Sequence, residues 1–412
     1  MNVLVLGSGG REHAITLKLS ESSKIDNLYV MPGNPGTESI AKNINKNPLN
    51  NQEVLSFCVS NNISLVIPGS EVYLQNGVSD ILEEHNINCF GPNRKAALLE
   101  SSKEFAKNLM KKYDIPTAKY EVFDDYNLAI KYIQENKIPI VIKYDGLAGG
   151  KGVVVAMTLS EATEALDNML NKKIFGDAKV VIEEYLEGPE FSLMCFVDNE
   201  IVIPMPICQD HKRLYDNDMG PNTGGMGIYS GVPIISKSVV DESMKSIMIK
   251  TIESLKKEGI NYKGFLYGGL MLTSNGPKVI EFNARFGDPE AEVILPKLKT
   301  DLIDIITSLK NRILPNIEWS DEYILGVVMA SKGYPNSYQK GYLIKDVENL
   351  KECYHMGTIL KDNQLYTNGG RVLFVYGKGS TLSEAKDNAY SNINKINCDN
   401  LIYRNDIGYK SL

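Results

Sequence analysis

Glu281, Asn283 and Arg285 stand at alternate positions in Lys278-Val279-Ile280-Glu281-Phe282-Asn283-Ala284-Arg285-Phe286-Gly287-Asp288. Side chains on a strand alternate between faces. As a strand, this run sets a carboxylate, an amide oxygen and a guanidinium in one row, with Ile280, Phe282, Ala284 and Phe286 turned to a core. Two hard oxygen donors followed by an anion-binding fork suit a magnesium–phosphate complex, because Mg²⁺ takes few protein oxygens and leaves its other positions to water and phosphate. A solvent-facing edge strand would show the same row, so the reading depends on whether other segments supply the nucleotide.

Four other segments bear on that. Lys143-Tyr144-Asp145-Gly146-Leu147-Ala148-Gly149-Gly150-Lys151-Gly152 sets four glycines and two lysines between two apolar strands. Glycines let a backbone approach phosphates, and a lysine at a strand end offers them a point charge. It is not a Walker A loop, since Lys151 is followed by Gly152 and then by a strand. A plain glycine-rich turn is the simpler alternative. Gly7-Ser8-Gly9-Gly10-Arg11-Glu12 joins a strand to a helix whose backbone N–H groups suit an anion. It half matches a dinucleotide fingerprint but carries Glu12 where that fingerprint wants Gly or Ala, which points away from NAD. Val180-Val181-Ile182-Glu183-Glu184-Tyr185-Leu186-Glu187-Gly188-Pro189-Glu190 reads as a strand running into an acidic turn. It could meet an adenine through main-chain groups and a ribose through a glutamate, although surface turns look much the same. Gln209-Asp210-His211-Lys212-Arg213 and Gly220-Pro221-Asn222-Thr223-Gly224-Gly225-Met226-Gly227 are dense in polar groups and glycine, suited to a small polar substrate. His211 reads as an orienting or packing residue. No covalent protein nucleophile is nominated.

The elements that must hold these groups follow from pattern. Apolar runs at Val3–Leu6, 28–30 and 65–67, each followed by a turn and a helix, predict a parallel α/β unit over roughly the first hundred residues. Ser101-x-x-Glu104 and Thr158-x-x-Glu161 read as capping boxes. Strands are expected at 139–143, 153–156, 180–182, 191–207, 267–272, 278–284, 325–329 and 371–375, with a helix near 240–258 and a last helix in the tail. The Thr-Leu-Ser-Glu-Ala run at 158–162 recurs at 381–385 and reads as two helix starts, not an internal repeat. The 412 residues suggest about two to four domains. A net charge of −7 disfavours a nucleic-acid surface, and no apolar run is long enough to span a membrane. Six scattered cysteines and four dispersed histidines suggest reduced thiols, no zinc site and a cytoplasmic protein.

With these segments in this order, the chain resembles the glycinamide ribonucleotide synthetases of the ATP-grasp superfamily along essentially its whole length. Besides the segments above, Glu281 to Glu290, Thr367-Asn368-Gly369-Gly370-Arg371-Val372 and Asp406-Ile407-Gly408 carry the likeness. The 209–213 and 220–227 runs are the narrow ones. The resemblance implies an α/β and α+β multidomain fold. It has an amino-terminal α/β domain at 1–100, an ATP-grasp region at 101–324 and a carboxy-terminal α+β domain at 325–412. Within the ATP-grasp region, 117–190 would be a nucleotide lid and 101–116 with 191–324 the larger part. It implies that ATP phosphorylates glycine to glycyl phosphate, which the amine of 5-phosphoribosylamine then attacks to give glycinamide ribonucleotide, ADP and phosphate in purine synthesis. Carried over by position, Glu281 and Asn283 would ligate Mg²⁺ or Mn²⁺, and Lys103 and Lys143 would hold phosphates under a loop of Gly146, Gly149, Gly150, Lys151 and Gly152. Glu183, Glu184, Tyr185 and Leu186 would meet adenine, Glu190 the ribose, and Arg285 the transferring phosphoryl group. Asp210, Lys212, Asn222, Thr223, Arg285 and Asp288 would face glycine and the ribosylamine, with Gly9, Gly10, Arg11 and Glu12 at the ribose-phosphate.

The chain departs from the family at Gly69-Ser70-Glu71-Val72-Tyr73-Leu74, where Gly-Pro-Glu-Ala-Pro-Leu is usual, and keeps Glu71 and the leucine. Gly149 and Ala284 replace a common alanine and a common cysteine. Small-molecule substrates, no nucleic acid, no membrane and a monomer or weak homo-oligomer are expected, with no second fused activity. A ligase using another acid or acceptor is the alternative.

Overall fold

Val3 and Val5 face one core and Leu4 and Leu6 another, and none of the four retains exposed surface. A strand buried on both faces reads as an unbroken apolar run, the mark of a parallel sheet covered by helices. The computed structural model, which describes residues 1–148, 152–177, 179–347 and 350–412, bears this out. Among these residues five parallel strands pair in the order Lys42–Asn43, Asn27–Pro32, Asn2–Gly7, Ile63–Pro68 and Asn88–Cys89. The first helix, Gly10–Ser20, lays Ala14, Ile15 and Leu19 on the Val3–Val5 face.

Residues 120–184 build a separate layer with its own core. Four antiparallel strands run in the order Tyr120–Phe123, Val180–Glu184, Ile140–Tyr144 and Val153–Ala156. Helices Tyr126–Glu135 and Leu159–Leu166 bury Ala129, Ile133, Ala162 and Leu166 against Ile142, Ala156 and Ile182. The second of these starts where expected, with Thr158 Oγ1 accepting from Glu161 N. The 381–385 run likewise opens a helix, Leu382–Ile393, capped by Thr381.

A large antiparallel sheet forms the body. It runs from Gly276–Asn283 through Lys263–Thr273, Glu190–Asp198, Cys208–Asp210 and Gly227–Ser230 to Tyr323–Ser331, Arg371–Gly379 and Cys353–His355. Its middle pairing, Gly227–Ser230 with Ile324–Val327, joins the 190–283 strands to the tail strands without a break. Helical residues 237–257 cover one face. No helix among the described residues is long and apolar enough to cross a membrane.

One cap lies a residue from its expected place. Ser101 ends the helix Arg94–Ser101, and Ser102 caps the helix Lys103–Lys112 by accepting from Phe105 N at 3.1 Å. Glu104 does not turn back to close a box but binds Lys179 at 2.8 Å. Two helices abut at that serine pair, and the 3.6-residue pattern carries no mark of the break.

Candidate active site

The strand Gly276–Asn283 presents Glu281 and Asn283 as its row requires, but its alternation is broken once. Glu281 pairs with Gly269 while Val279 pairs with Leu270, which leaves Ile280 as an extra residue in a β-bulge. Val279 and Phe282 are therefore the core residues, and Ile280, expected in the core, is only half-buried. The bulge frees a carbonyl: Lys143 Nζ donates to Ile280 O at 2.8 Å. The strand ends at Asn283, yet Ala284 and Phe286 are buried as expected, and Ala284 N donates to Glu100 Oε2 at 2.7 Å.

Around Glu281 the structure collects cations. Burial alone would raise its carboxyl, but Lys212, Lys143, Lys103 and Arg285 hold it below the usual carboxylate value. The same carboxylate opposes the loss of charge that burial and Lys143 impose on Lys103. Arg285 is gripped from three directions. Its Nη2 lies 2.9 Å from Glu100 Oε1 and donates to Asn283 Oδ1 at 3.2 Å, and its Nε lies 3.3 Å from Glu71 Oε2. Glu71, the acid retained in the divergent 69–74 turn, is brought to about 2: burial would raise it, and Arg285 and Arg11 prevail. Glu100 is pushed up to about 7 by burial against the pull of Arg285.

Each remaining cation is held by a group of the protein. Glu183, expected at the adenine, points its carboxylate inward instead, 2.9 Å from Lys143 Nζ and 2.8 Å from Lys107 Nζ, with about 3% of its side chain exposed. Only its main chain remains available to a base. Lys107, one turn after Lys103 on the same helix, is lowered to about 8 by burial against Glu183. Glu190, expected at the ribose, lies 3.3 Å from Lys212 Nζ. Lys103 Nζ donates to Gly146 O at 2.9 Å, and Ser102 Oγ and Glu104 N both donate to Asp145, which pins the glycine loop to the helix start. Gly152 O accepts from Tyr144 N at 2.8 Å, while Gly149, Gly150 and Lys151 lie outside the described residues. Glu184 binds Lys278 at 3.2 Å, Tyr185 is exposed and Leu186 half-buried.

Asp210 ends the short strand Cys208–Asp210 within the large sheet, His211 and Lys212 follow it, and the three divide. Burial, and after it Glu290, push the Asp210 carboxyl up, and burial raises Glu290 as well. Oδ1 of Asp210 has no hydrogen-bond partner among the described residues. A Cβ at Gly225 would lie 2.8 Å from that oxygen, and Gly225 has a φ of +109°, so glycine is needed there twice over. His211 packs: it is buried, its Nε2 accepts from Gly408 N at 3.3 Å, and burial lowers it to about 3. Thr223 Oγ1 donates to Lys212 O at 2.8 Å and accepts from Gly225 N, so it fastens the loop, while Asn222 sits exposed at the end of the hairpin 213–222. Arg371 reaches in from the tail, 2.8 Å from Asp288 Oδ1, and donates to Gly224 O at 2.7 Å.

The turn at Gly9–Glu12 borders this second group. Its N–H groups are not all bare: Gly9 N donates to Glu12 Oε2 at 2.6 Å, and Arg11 Nε donates to Glu12 Oε1 at 2.7 Å. Arg11 Nη1 also donates to Phe286 O. The residues a reading by segments misses are Lys107, Glu100 and, as a site residue, Arg371. Lys107 carried a weak signal in its i, i+4 spacing from Lys103; Glu100 carried none.

Glu281 and Asn283 offer a carboxylate and an amide oxygen, and no group of three or more metal-binding side chains occurs among the described residues. Two hard oxygens beside an array of phosphate-seeking cations fit a divalent ion that completes its shell with water and phosphate.

Comparison with known proteins gives this geometry a context. Three family models cover the chain: the phosphoribosylglycinamide synthetase N domain matches residues 1–100, its ATP-grasp (A) domain 101–291 and its C domain 324–410. A phosphoribosylamine–glycine ligase of Halalkalibacterium halodurans is 50% identical over 417 aligned residues, covering 100% of this chain and 97% of that protein. One of Listeria monocytogenes is 48% identical, with 100% of both chains covered. The crystal structure of the Thermotoga maritima phosphoribosylamine–glycine ligase superposes with a TM-score of 0.88 at 35% identity, over 98% of this chain and 100% of that one.

Proposed function

This chain belongs to the phosphoribosylglycinamide synthetase family, and on that premise we propose how its residues carry out the family's ligation. The enzyme is an ATP-grasp, ATP-dependent ligase with phosphoribosylamine–glycine ligase activity, a step of purine biosynthesis. A glycine carboxylate oxygen attacks the γ-phosphorus of ATP, releasing ADP and leaving glycyl phosphate. The amine of 5-phosphoribosylamine then attacks the activated carbonyl, phosphate departs and a proton is lost, giving glycinamide ribonucleotide.

The observation that carries the assignment of roles is the gathering of Lys212, Lys143, Lys103 and Arg285 about the Glu281 carboxyl. Phosphoryl transfer needs little covalent help from a protein and a great deal of placed charge. Lys103 and Lys143 hold the ATP phosphates, and the loop of Gly146, Gly149, Gly150, Lys151 and Gly152 covers them. Main-chain groups from Glu183 to Leu186 meet the adenine, and Glu190 takes the ribose once Lys212 releases it. Glu281 and Asn283 would hold Mg²⁺ or Mn²⁺, which when bound neutralises phosphate charge and orients the γ-phosphoryl group. Arg285, kept in line by Glu71 and Glu100, steadies the transferring phosphoryl group. Asp210 and Lys212 serve glycine and the amine, Thr223 shapes their loop with Asn222 at its rim, and Asp288 with the Gly9–Glu12 turn faces the ribosylamine. Residues 1–100, 101–324 and 325–412 act as three domains, with 117–190 as the lid, in a cytoplasmic monomer or weak oligomer.

The test is phosphate release from ATP and Mg²⁺, with ribosylamine generated in place and glycine present or omitted. Release that needs both substrates, with glycinamide ribonucleotide seen by mass spectrometry, is the expected result. ATP turnover indifferent to glycine would overturn it and require another acid.

A further inference from the structure

Acid covers the start of the first helix. A Cβ at Gly10 would lie 2.5 Å from Glu292 Oε1 and 2.9 Å from Met356 Cγ, and a Cβ at Gly9 would lie 3.6 Å from Asp288 Oδ2. The carboxylates of Glu292 and Asp288 therefore stand against the backbone of the turn, and position 10 leaves no room for a side chain beneath Glu292. Glu292 has no exposed surface, and neither of its carboxylate oxygens has a hydrogen-bond partner among the described residues. Asp288 Oδ1 also lacks a hydrogen bond, although Arg371 Nη2 makes an ion contact with it at 2.8 Å. Buried acceptors are rarely left unmade because the lost solvation is not recovered. What is missing at this place is a donor.

The substrates differ in what they could bring. Phosphates bring acceptors only, and would leave the Glu292 oxygens without the donor they lack. Glycine brings an ammonium group, but its carboxylate must reach the phosphoryl group near Glu281, and one carbon separates the two ends. The charged groups that act most strongly on Glu292 are Asp288, Arg371 and Arg11, none of them a lysine of the Glu281 array. A sugar brings hydroxyl donors on a rigid ring. We propose, resting on the ligase reading above, that Glu292 with Asp288 accepts hydrogen bonds from the ribose hydroxyls of 5-phosphoribosylamine, which makes Glu292 a specificity-determining residue of that pocket. Burial first, and the neighbouring Asp288 second, hold the Glu292 carboxyl well above the usual range. It therefore works through hydrogen bonds rather than charge, and an amide of the same shape replaces it.

The experiment is steady-state kinetics of wild type, Glu292→Gln and Glu292→Met for each substrate in turn. In Glu292→Met, KM for ribosylamine rises at least about tenfold, the cost of one lost hydrogen bond, while KM for ATP and glycine stays within about twofold. Glu292→Gln restores ribosylamine KM to within about threefold of wild type. Unchanged ribosylamine KM in Glu292→Met, a rise in glycine KM instead, or a common loss for all three substrates with a lowered Tm each overturns the proposal. Should Glu292→Met fail to fold, wild type is offered phosphorylated ribosylamines lacking the 2- or the 3-hydroxyl. At least one of them loses about tenfold or more in kcat/KM, and equal use of all three sugars overturns the inference. Wild type that turns over ATP without glycine would instead sink the ligase reading, and this inference falls with it.

Discussion

Two halves of the candidate site are satisfied in opposite ways. Around Glu281 every cation has a partner within the protein: Lys143 and Lys107 share Glu183, Lys212 has Glu190, Arg285 has Glu100 and Glu71, and Lys103 has a loop carbonyl. Around Gly10 and Gly225 the surplus is of acceptors, since both oxygens of Glu292 and Oδ1 of Asp210 lack a hydrogen bond and an ion-pair partner among the described residues. Like charges 4 Å apart repel by about 4 kcal/mol near a protein surface. The cation-rich half could not stay assembled without internal anions, which would stand in for the phosphates proposed to bind there. In the acceptor-rich half Asp288 has Arg371, and burial lets the carboxyls of Glu292 and Asp210 keep their protons until a donor comes. Charge is thus stored on one side as ion pairs to be exchanged and on the other, at Glu292 and Asp210, as protons.

Removing the centre of the first half breaks the contrast hardest. Glu281→Ala is expected to lower metal-dependent turnover by about a thousandfold or more, as loss of a preorganised charge does, with the circular dichroism spectrum unchanged. Full activity would show the strand face to be decoration. Glu183→Gln tests the exchange itself. It strands two buried lysines and is expected to cost about 3 kcal/mol of stability without nucleotide, part of which ATP restores. The rise in Tm on adding ATP should then exceed that of wild type, and an equal rise in both proteins counts against exchange. Asp210→Ala probes the other half: KM for glycine or ribosylamine is expected to rise about tenfold to a hundredfold, with ATP affinity nearly kept. Equal loss for every substrate would remove Asp210 from that side.

The smallest expected effect concerns a contact that ties the two ends of the chain together behind the acceptor-rich half. His13 Nδ1 accepts from His355 N at 3.0 Å, and burial lowers the two rings to about 3 and about 4. A histidine depressed in the folded state contributes stability that is fully present above its unfolded value of about 6.5 and is lost as pH falls towards the folded value, because the unfolded chain binds the extra proton. Each ring should forfeit about 1.4 kcal/mol per pH unit between about 6.5 and 4. Urea midpoints at pH 7 and pH 5 check this: His13→Asn should show a shallower fall than wild type, and identical slopes would refute the assignment.

The parts of this molecule legible in its sequence were those written along one strand or one loop. Glu281 and Asn283 share a face because strand geometry says so, Arg285 reaches Asn283 from just beyond the strand's end, and the parallel sheet of the first hundred residues follows from unbroken apolar runs ending in glycine turns. The illegible parts join distant positions. Glu71 meets Arg285 across 214 residues, and Arg371 meets Asp288 across 83. Glu183 looked free for a ligand because nothing in its neighbourhood announces Lys107. The shift of the cap from Ser101 to Ser102 has the same root: two helices abut, and local pattern does not say which serine belongs to which.

Ile280 leaves a last consequence for anyone reading mutational scans of this chain. The sheet has no use for that residue: without it, Val279, Glu281, Phe282 and Asn283 would continue in register with Leu270 to Tyr267. What residue 280 contributes is a carbonyl for Lys143, and every amino acid has one. Point substitutions there should pass almost unnoticed, while deleting the residue would leave a more regular strand and a less competent enzyme. A position that tolerates every replacement and no removal would look dispensable in a scan of substitutions alone.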